Sequence, residues 1–189
     1  SGFGYGDGDD NTIVSQTTSV YIRKVFNTEN LGEIVRAAFH VDYDDAFVAY
    51  INGTEICRAN IGVTGTPPTF DQTANEGHEA LMYQGGNPEY FAFDANLLGQ
   101  GENVIAIQVH NVTAESSDLT IIPFLSLLLT NEPDNPNGSP EILQLEIPNL
   151  HTNFKINSAG ETIILSTANG TIADSISTGM IPTDISLGR

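Results

Sequence analysis

The sequence contains no tryptophan, one cysteine and only six lysine and arginine residues among 189. The single cysteine, Cys57, excludes an internal disulfide, and because it lies in an apolar stretch we expect a buried, unreactive thiol. The six basic residues face 24 aspartate and glutamate residues, which gives a net charge of -18. Nucleic-acid binding needs clustered lysine and arginine, so this balance argues against it, and it argues equally against attraction to anionic membranes. It suits a secreted protein, or one that binds cations or neutral ligands.

Long apolar runs are also missing. No run of about 18 consecutive apolar residues is present, and no signal peptide is visible, so we expect no membrane insertion. The sequence begins without methionine and stops at Gly188-Arg189. We therefore expect it to be a piece of a longer protein.

What is present is a series of short segments typical of strands. The clearest is 42–56, in which Asn52-Gly53 predicts a type I′ hairpin turn, because both central residues of that turn need positive φ. Alternation and β-branched residues predict further strands at 19–26, 33–41, 104–111 and 119–129. No convincing helix is found. The sequence therefore predicts an all-β sandwich.

The segment 131–140 is rich in proline and asparagine and predicts a linker. It separates a first domain, 1–130, from a tail, 141–189. The tail contains strand-like stretches, but a piece of roughly 50 residues is too short to bury a secure core alone. We therefore expect it either to dock on the first domain or to be part of a larger one.

The first candidate site is the acidic, glycine-rich segment near the start of the chain. Asp7, Asp9 and Asp10 are closely spaced with intervening glycine, and no lysine follows that would suit a phosphate loop. Calcium takes six to eight oxygen ligands, and glycine lets backbone carbonyls turn toward an ion. The segment is either a calcium site or a solvated acidic turn.

The second candidate site is the long connection 60–90. It contains His78, Glu79, Tyr83 and Tyr90, and tyrosine rings with polar neighbours are typical of sugar sites. An ordinary surface loop is the alternative. His110 lies on one face of a predicted strand beside Gln108, as a ligand contact or as a hydrogen-bonded structural histidine.

Six motifs in the first domain occur in a recognisable order. They are Gly4-Tyr5-Gly6-Asp7-Gly8-Asp9, Tyr21-Ile22-Arg23-Lys24-Val25-Phe26, Asp44-Asp45 with Ala49-Tyr50-Ile51-Asn52-Gly53-Thr54-Glu55, Arg58-Ala59-Asn60, Gly101-Glu102-Asn103-Val104-Ile105-Ala106-Ile107-Gln108-Val109-His110, and Ser116-Ser117-Asp118-Leu119. Over residues 1–130 the chain resembles the accessory β-sandwich modules of secreted bacterial proteins, often of Bacteroidetes type. Those modules are similar to galactose-binding-domain jelly rolls and accompany hydrolases or CotH-kinase-type proteins.

The tail has a second resemblance, to part of a lamin-tail-like domain. It rests on His151-Thr152-Asn153-Phe154-Lys155-Ile156, Gly160-Glu161-Thr162-Ile163-Ile164-Leu165 and Asp184-Ile185-Ser186-Leu187-Gly188-Arg189. Together the two resemblances imply a jelly-roll β-sandwich with a short C-terminal β extension. They also imply export, to the medium or the cell surface.

The resemblance further implies a structural calcium, which we assign to Asp7, Asp9 and Asp10, with Asp118 or Asp45 as partners from across the sandwich. The expected function is a non-catalytic carbohydrate-binding accessory module, with a glycan or neighbouring domains as partners. The alternative is a structural or interaction spacer with no small-molecule ligand. An enzyme is disfavoured, because no Gly-x-Ser-x-Gly motif surrounds Ser116 and no carboxylate pair shows the surroundings that acid–base catalysis needs.

Overall fold

The computed structural model describes residues 2–5, 11–131, 143, 156–167 and 169–180. The described residues form strands and short 3-10 turns. The strands are β1 (Phe3–Gly4), β2 (Thr12–Ile13), β3 (Ser19–Thr28), β4 (Ile34–Asp44), β5 (Ala46–Ile51), β6 (Thr54–Ala59), β7 (Glu89–Phe93), β8 (Gly101–His110), β9 (Thr120–Leu129), β10 (Thr162–Ser166) and β11 (Ile172–Ser177). The 3-10 helices are Leu31–Glu33, Met82–Gln84 and Ala95–Leu97.

The first nine strands form two sheets. The first sheet has the order β2-β1-β9-β4-β7, and the second has the order β3-β8-β5-β6. Without the two-residue strand β2, each sheet takes four strands, and each combines strands from early and late in the chain. This is the strand order of a jelly roll. The predicted all-β jelly-roll sandwich is confirmed.

The core lies between the sheets and follows the alternation of the strands. Phe47 and Ala49 of β5 are fully buried, and Ile107 and Val109 of β8 pack beside them. Side chains of a strand alternate between its faces, so the intervening residues of β5 and β8 lie on the outer face of the second sheet. The central core cluster contains Phe39, Val41, Tyr43, Phe47, Ala49, Ile107, Val109, Leu119 and Ile121.

The chain crosses from one sheet to the other at Asp45. The sequence predicts one continuous strand up to the Asn52-Gly53 turn, but β4 ends at Asp44 in the first sheet and β5 begins at Ala46 in the second. The crossing is held by the buried carboxylate of Asp45, which accepts two backbone N–H bonds from other segments. The hairpin turn itself has φ of 50° at Asn52 and 83° at Gly53, as a type I′ turn requires.

The long connection is shorter than the sequence suggests. Its last residues, Glu89 and Tyr90, begin β7, which pairs with β4 at the edge of the first sheet. Tyr90 is exposed, whereas Phe91 and Phe93 pack against the core. This alternation is the signature of a half-buried edge strand.

The chain folds as two compact units, Ser1–Leu145 and Glu146–Arg189. In the second unit β10 and β11 form an antiparallel hairpin, the short C-terminal β extension that the sequence predicts. Most of its large apolar side chains are exposed, among them Ile164, Leu165 and Ile172. Apart from Asn131, the predicted linker 131–140 lies outside the described residues. Within the described ranges no helix is long and apolar enough to cross a membrane.

Candidate functional site

The outer face of β4 presents a row of polar side chains. Phe39, Val41 and Tyr43 point into the core, so the alternating residues His40, Asp42 and Asp44 share the opposite face. Residues two apart on a strand are about 6.6 Å apart, so the row spans roughly 13 Å. We call these three residues the β4 row. Asp42 binds a loop, Asp44 lies in an acidic cluster, and His40 lies beside an exposed tyrosine.

Asp42, the middle of the row, anchors the loop that precedes β7. Its two carboxylate oxygens accept the backbone N–H groups of Leu81 and Met82 at 2.7 and 2.8 Å. Asp42 is buried, and these hydrogen bonds satisfy a charge that would otherwise be costly to bury. The loop is therefore fixed on the outer face of β4.

Asp45 anchors the same loop from its other side. Its oxygens accept the N–H of His78 at 2.9 Å and the N–H of Val112 at 2.7 Å. Because Asp42 and Asp45 hold the chain on both sides of Glu79, the position of the Glu79 backbone is well defined. The sequence assigns Asp45 to calcium, but in the structure both of its oxygens serve as backbone anchors.

Asp44, at the end of the row, lies in a cluster of carboxylates with Glu79 and Asp118. One oxygen from each lies within 4.8 Å of the others. Asp44 is opposite Thr120 in the β4–β9 register, so Asp118, two residues before Thr120, reaches the same face. Asp44 is buried, Asp118 is half-buried and Glu79 is exposed. Such a cluster could hold a metal ion.

The donor set favours a hard cation. All three side chains offer carboxylate oxygens, which suit calcium or magnesium better than the softer metals that histidine and cysteine select. Asp118 is further positioned by the hydroxyls of Ser116 and Ser117, which donate to its Oδ1 at 3.2 and 3.4 Å. The sequence predicts Asp118 as a partner of Asp7, Asp9 and Asp10, predicts Glu79 as a sugar contact, and gives Asp44 no metal role.

The other predicted metal ligands, Asp7, Asp9 and Asp10, lie outside the described residues. The last described residue before them is Tyr5, whose N–H donates to the carbonyl of Leu119 at 3.1 Å. The end of β1 is therefore next to the residue that follows Asp118. The assignment of these three aspartates to calcium stays a prediction.

His78 is held by a stacked aromatic ring and by a hydrogen bond from its imidazole. Its ring stacks on Tyr43 with a centroid distance of 4.1 Å and an interplanar angle of 5°. Its Nδ1 lies 3.0 Å from the carbonyl oxygen of Tyr43, which can only accept, so Nδ1 is the donor. Its Nε2 lies 3.4 Å from Glu89, which also accepts the Tyr43 hydroxyl at 3.2 Å. Burial and the nearby Glu89 raise the pKa of Tyr43 above its ordinary value. His78 therefore supports the loop beside Glu79.

The two tyrosines predicted to bind sugar are both exposed. Tyr90 is 51% exposed and lies opposite His40 in the β4–β7 register, with ring centroids 5.2 Å apart at an angle of 70°. His40 is held by Ser126, whose hydroxyl is 2.9 Å from Nε2. Tyr83 is 59% exposed and follows the segment anchored by Asp42. Tyr90 thus lies beside His40 of the β4 row, and Tyr83 is the residue after Met82, which Asp42 holds.

His110 lies elsewhere, on the outer face of the second sheet. It is fully buried, and its Nδ1 is 2.8 Å from the carbonyl oxygen of Gln72. The five predicted ligand residues therefore fall into two groups, four near the β4 row and His110 apart from them. Cys57 is half-buried, and burial with the nearby Glu55 raises the pKa of its thiol to about 12, which makes it a poor nucleophile.

No protein-family model and no curated protein matches this chain. Among solved structures it is similar to parts of three α-L-rhamnosidases. These are the Streptomyces avermitilis enzyme complexed with L-rhamnose (15% identity, TM-score 0.43, 62% of this chain and 9% of that one), the Dictyoglumus thermophilum enzyme (19%, 0.40, 60% and 11%) and the Aspergillus terreus enzyme (18%, 0.40, 65% and 14%). The chain thus spans about a tenth of the length of the structures it resembles.

Proposed function

We propose that this chain is a non-catalytic carbohydrate-binding module of a secreted multidomain protein, with a structural calcium. The observation that favours it most is the β4 row. An exposed tyrosine ring, Tyr90, lies at one end, and the carboxylates of Asp44, Glu79 and Asp118 lie at the other. A flat apolar ring beside fixed polar groups is the arrangement that sugars require.

Calcium is the cation we assign to the cluster. Calcium accepts irregular sets of oxygen ligands, whereas magnesium demands near-ideal octahedral geometry and keeps several waters. Asp44, Glu79 and Asp118 belong to three separate segments of the chain, so an ion would join β4, the anchored loop and the start of β9. Bound calcium would then fix the loop beside Tyr83 without itself contacting the sugar.

The calcium proposal predicts a stability increase by mass action. At a calcium concentration 100 times Kd, the free energy of unfolding should rise by about 2.7 kcal/mol, measured by thermal or urea unfolding in calcium and in chelator. Asp118→Asn should abolish this increase, and Asp71→Asn, at an exposed position away from the cluster, should leave it intact. A melting temperature that is the same in calcium and in chelator would contradict the assignment.

The carbohydrate proposal is tested on a glycan array in the presence of calcium. For any glycan that binds, Tyr90→Ala should weaken Kd by about tenfold, because the loss of a stacked ring costs roughly 1 to 1.5 kcal/mol. Phe70→Ala is the matched control, since Phe70 is 73% exposed and lies outside the site. Affinity that is indifferent to both Tyr83→Ala and Tyr90→Ala would rule out the β4 row as the sugar site.

A structural spacer is the second candidate. The exposed apolar side chains of the β10–β11 hairpin favour it, because such side chains on a short hairpin need a covering partner such as a neighbouring domain. A blank array in both calcium and chelator would favour the spacer over carbohydrate binding.

A further inference from the structure

One side of β9 is open along most of its length. On that side β1 pairs with β9 at Thr120 and Ile121, and within the described ranges no strand pairs with it beyond Ile121. On its other side β9 pairs with β4 as far as Leu129. We call residues 123–129, on the side of β9 that faces away from β4, the β9 edge.

Backbone groups of alternate residues point toward the β9 edge. The carbonyl of Leu119 accepts a hydrogen bond of 3.1 Å from the end of β1, so Leu119 faces β1. The N–H of Thr130 donates at 2.8 Å to the residue before β4, so the even-numbered residues face β4. Because the polar groups of successive strand residues alternate in direction, the N–H and C=O groups of Leu125 and Leu127 face the open side.

Pro123 agrees with this direction. Proline has no N–H to donate, so a sheet accepts it where the missing N–H would face away from a neighbouring strand. Pro123 has the same parity as Leu125 and Leu127, and its pairing with β4 is regular. An added strand can therefore form its hydrogen bonds from Leu125 onward.

The β9 edge lacks the features that usually prevent strand addition. Edge strands of soluble proteins are commonly short, charged or interrupted by a bulge. The edge strand β3 carries Arg23 and Lys24, and the edge strand β6 pairs with β5 through a register shift. The corresponding part of β9 has no charged residue and reads Phe124-Leu125-Ser126-Leu127-Leu128-Leu129. Such an uncharged apolar edge is a template for another strand.

The sandwich is also open beside the β9 edge. Leu127 of β9 and Phe26 of β3 pack against the same buried cluster, and Ile22 of β3 packs against the central core. Lys24 lies between Ile22 and Phe26 with the same parity, yet it is exposed. The gap between β3 and β9 is therefore open to solvent at Lys24, whose charged end leaves the sandwich there.

The charges around this opening are basic, although the whole chain has a net charge of -18. Three of the six lysine and arginine residues, Arg23, Lys24 and Arg36, lie on β3 and β4. In the part of the chain that the structure describes, none of the three forms an ion pair. A second copy paired at this edge would bring two basic sets together, whereas an acidic strand would compensate the charge.

We propose that the β9 edge binds an extended acidic peptide segment of a partner protein by strand addition. The segment runs antiparallel to β9, in line with β1, and pairs its backbone with the N–H and C=O groups of Leu125 and Leu127. Its apolar side chains cover the gap beside Leu127, and its carboxylates compensate the charge of Lys24. The interaction uses neither calcium nor the sugar site proposed for the β4 row.

The probe is a fluorescein-labelled peptide of alternating valine and glutamate, about nine residues long so that it spans the edge. Its binding to the full chain, measured in chelator by fluorescence anisotropy, should be saturable. A control peptide with lysine in place of glutamate should bind about tenfold more weakly. Bound probe should slow hydrogen exchange at the amides of Leu125 and Leu127. The amide of Leu128, which faces β4, is the internal control and should not change.

Two variants separate the backbone pairing from the charge. Leu125→Pro removes an N–H on the open side, as Pro123 already does, and should weaken Kd for the acidic peptide by about tenfold. Lys24→Gln should weaken Kd by about threefold. Val63→Glu changes the net charge equally at a position that is 72% exposed in the loop after β6, and should leave Kd nearly unchanged.

Three results would overturn the proposal. The first is that the acidic peptide does not bind, and the second is that it binds without slowing exchange at Leu125 and Leu127. The third is a dimer in sedimentation that Leu125→Pro converts to a monomer, which would assign the edge to a second copy. If Leu125→Pro does not fold, exchange in the parent chain and the affinity of Lys24→Gln decide the question.

Discussion

At the scale of single residues, the carboxylates of Asp42 and Asp45 accept hydrogen bonds from backbone N–H groups that lie outside the strands. Each is buried, and each accepts two backbone N–H groups from segments far away in the sequence. A buried carboxylate is stable only when such donors surround it. The aspartates at 42, 44 and 45 are neighbours in the sequence, but the fold gives their carboxylates separate tasks.

Asp42→Asn tests this anchoring. The amide keeps one acceptor oxygen but turns an NH₂ group toward the other backbone N–H. That N–H is left without an acceptor, and the remaining hydrogen bond no longer involves a charged oxygen. We expect a loss of about 2 kcal/mol in the free energy of unfolding. Hydrogen exchange should become faster at the amides of Leu81 and Met82. Asp71→Asn, at an exposed position, should change neither quantity.

The buried histidines predict a pH dependence. Burial lowers the pKa of His40 and of His110 below the ordinary 6.5. Below pH 6.5 the unfolded chain therefore binds protons that the folded chain does not, so stability should fall as the pH is lowered from about 7 to about 5. Urea unfolding at several pH values measures this slope.

His110→Asn is the variant for that experiment, because an asparagine amide can keep the donor to Gln72 without titrating. It should flatten the dependence on pH between about 7 and 5. An unchanged slope in this variant would show that His110 is not protonated on unfolding in this range.

At the scale of elements, the turn between β5 and β6 fixes the register of the second sheet. Gly53 has φ of +83°, and a Cβ added there would meet no atom within 4 Å. Gly53→Ala should therefore cost roughly 1 kcal/mol through backbone strain alone, measured by thermal unfolding. Gly32 is also in open space but lacks positive φ, so Gly32→Ala should be nearly neutral. Equal effects of the two substitutions would contradict this account.

The same scale shows what sequence patterns could and could not predict. The buried faces of β5 and β8 follow from alternation within a few residues, and the hairpin follows from Asn52-Gly53. The cluster of Asp44, Glu79 and Asp118 depends on the register of β4 with β9 and on the anchoring of a loop. Neither leaves a local pattern. The sequence contained Asp118 as a candidate, but its partners are fixed only by tertiary pairing.

At the scale of the whole molecule, the jelly roll places the β4 row and the buried His110 on opposite sheets. The β4 row lies on the outer face of the first sheet, and Gln108 and His110 lie on the outer face of the second. The core between them is continuous and apolar. The all-β class could be predicted from turn signals, but this opposition of faces required the strand order.

The pairing of β1 with β9 also has a consequence for how the protein is made. Phe3 lies opposite Ile121, and β4 obtains its long central neighbour only when β9 is present. A ribosome delivers the first strand of this sheet long before the strand that fills its centre. Until Leu129 has emerged, one edge of β4 lacks the strand that pairs with it, and the core lacks Ile121. β9 is the last strand of the sandwich to be synthesised, so the sandwich closes only when β9 has emerged. The need for a chaperone to protect the incomplete sandwich should end at that point in translation.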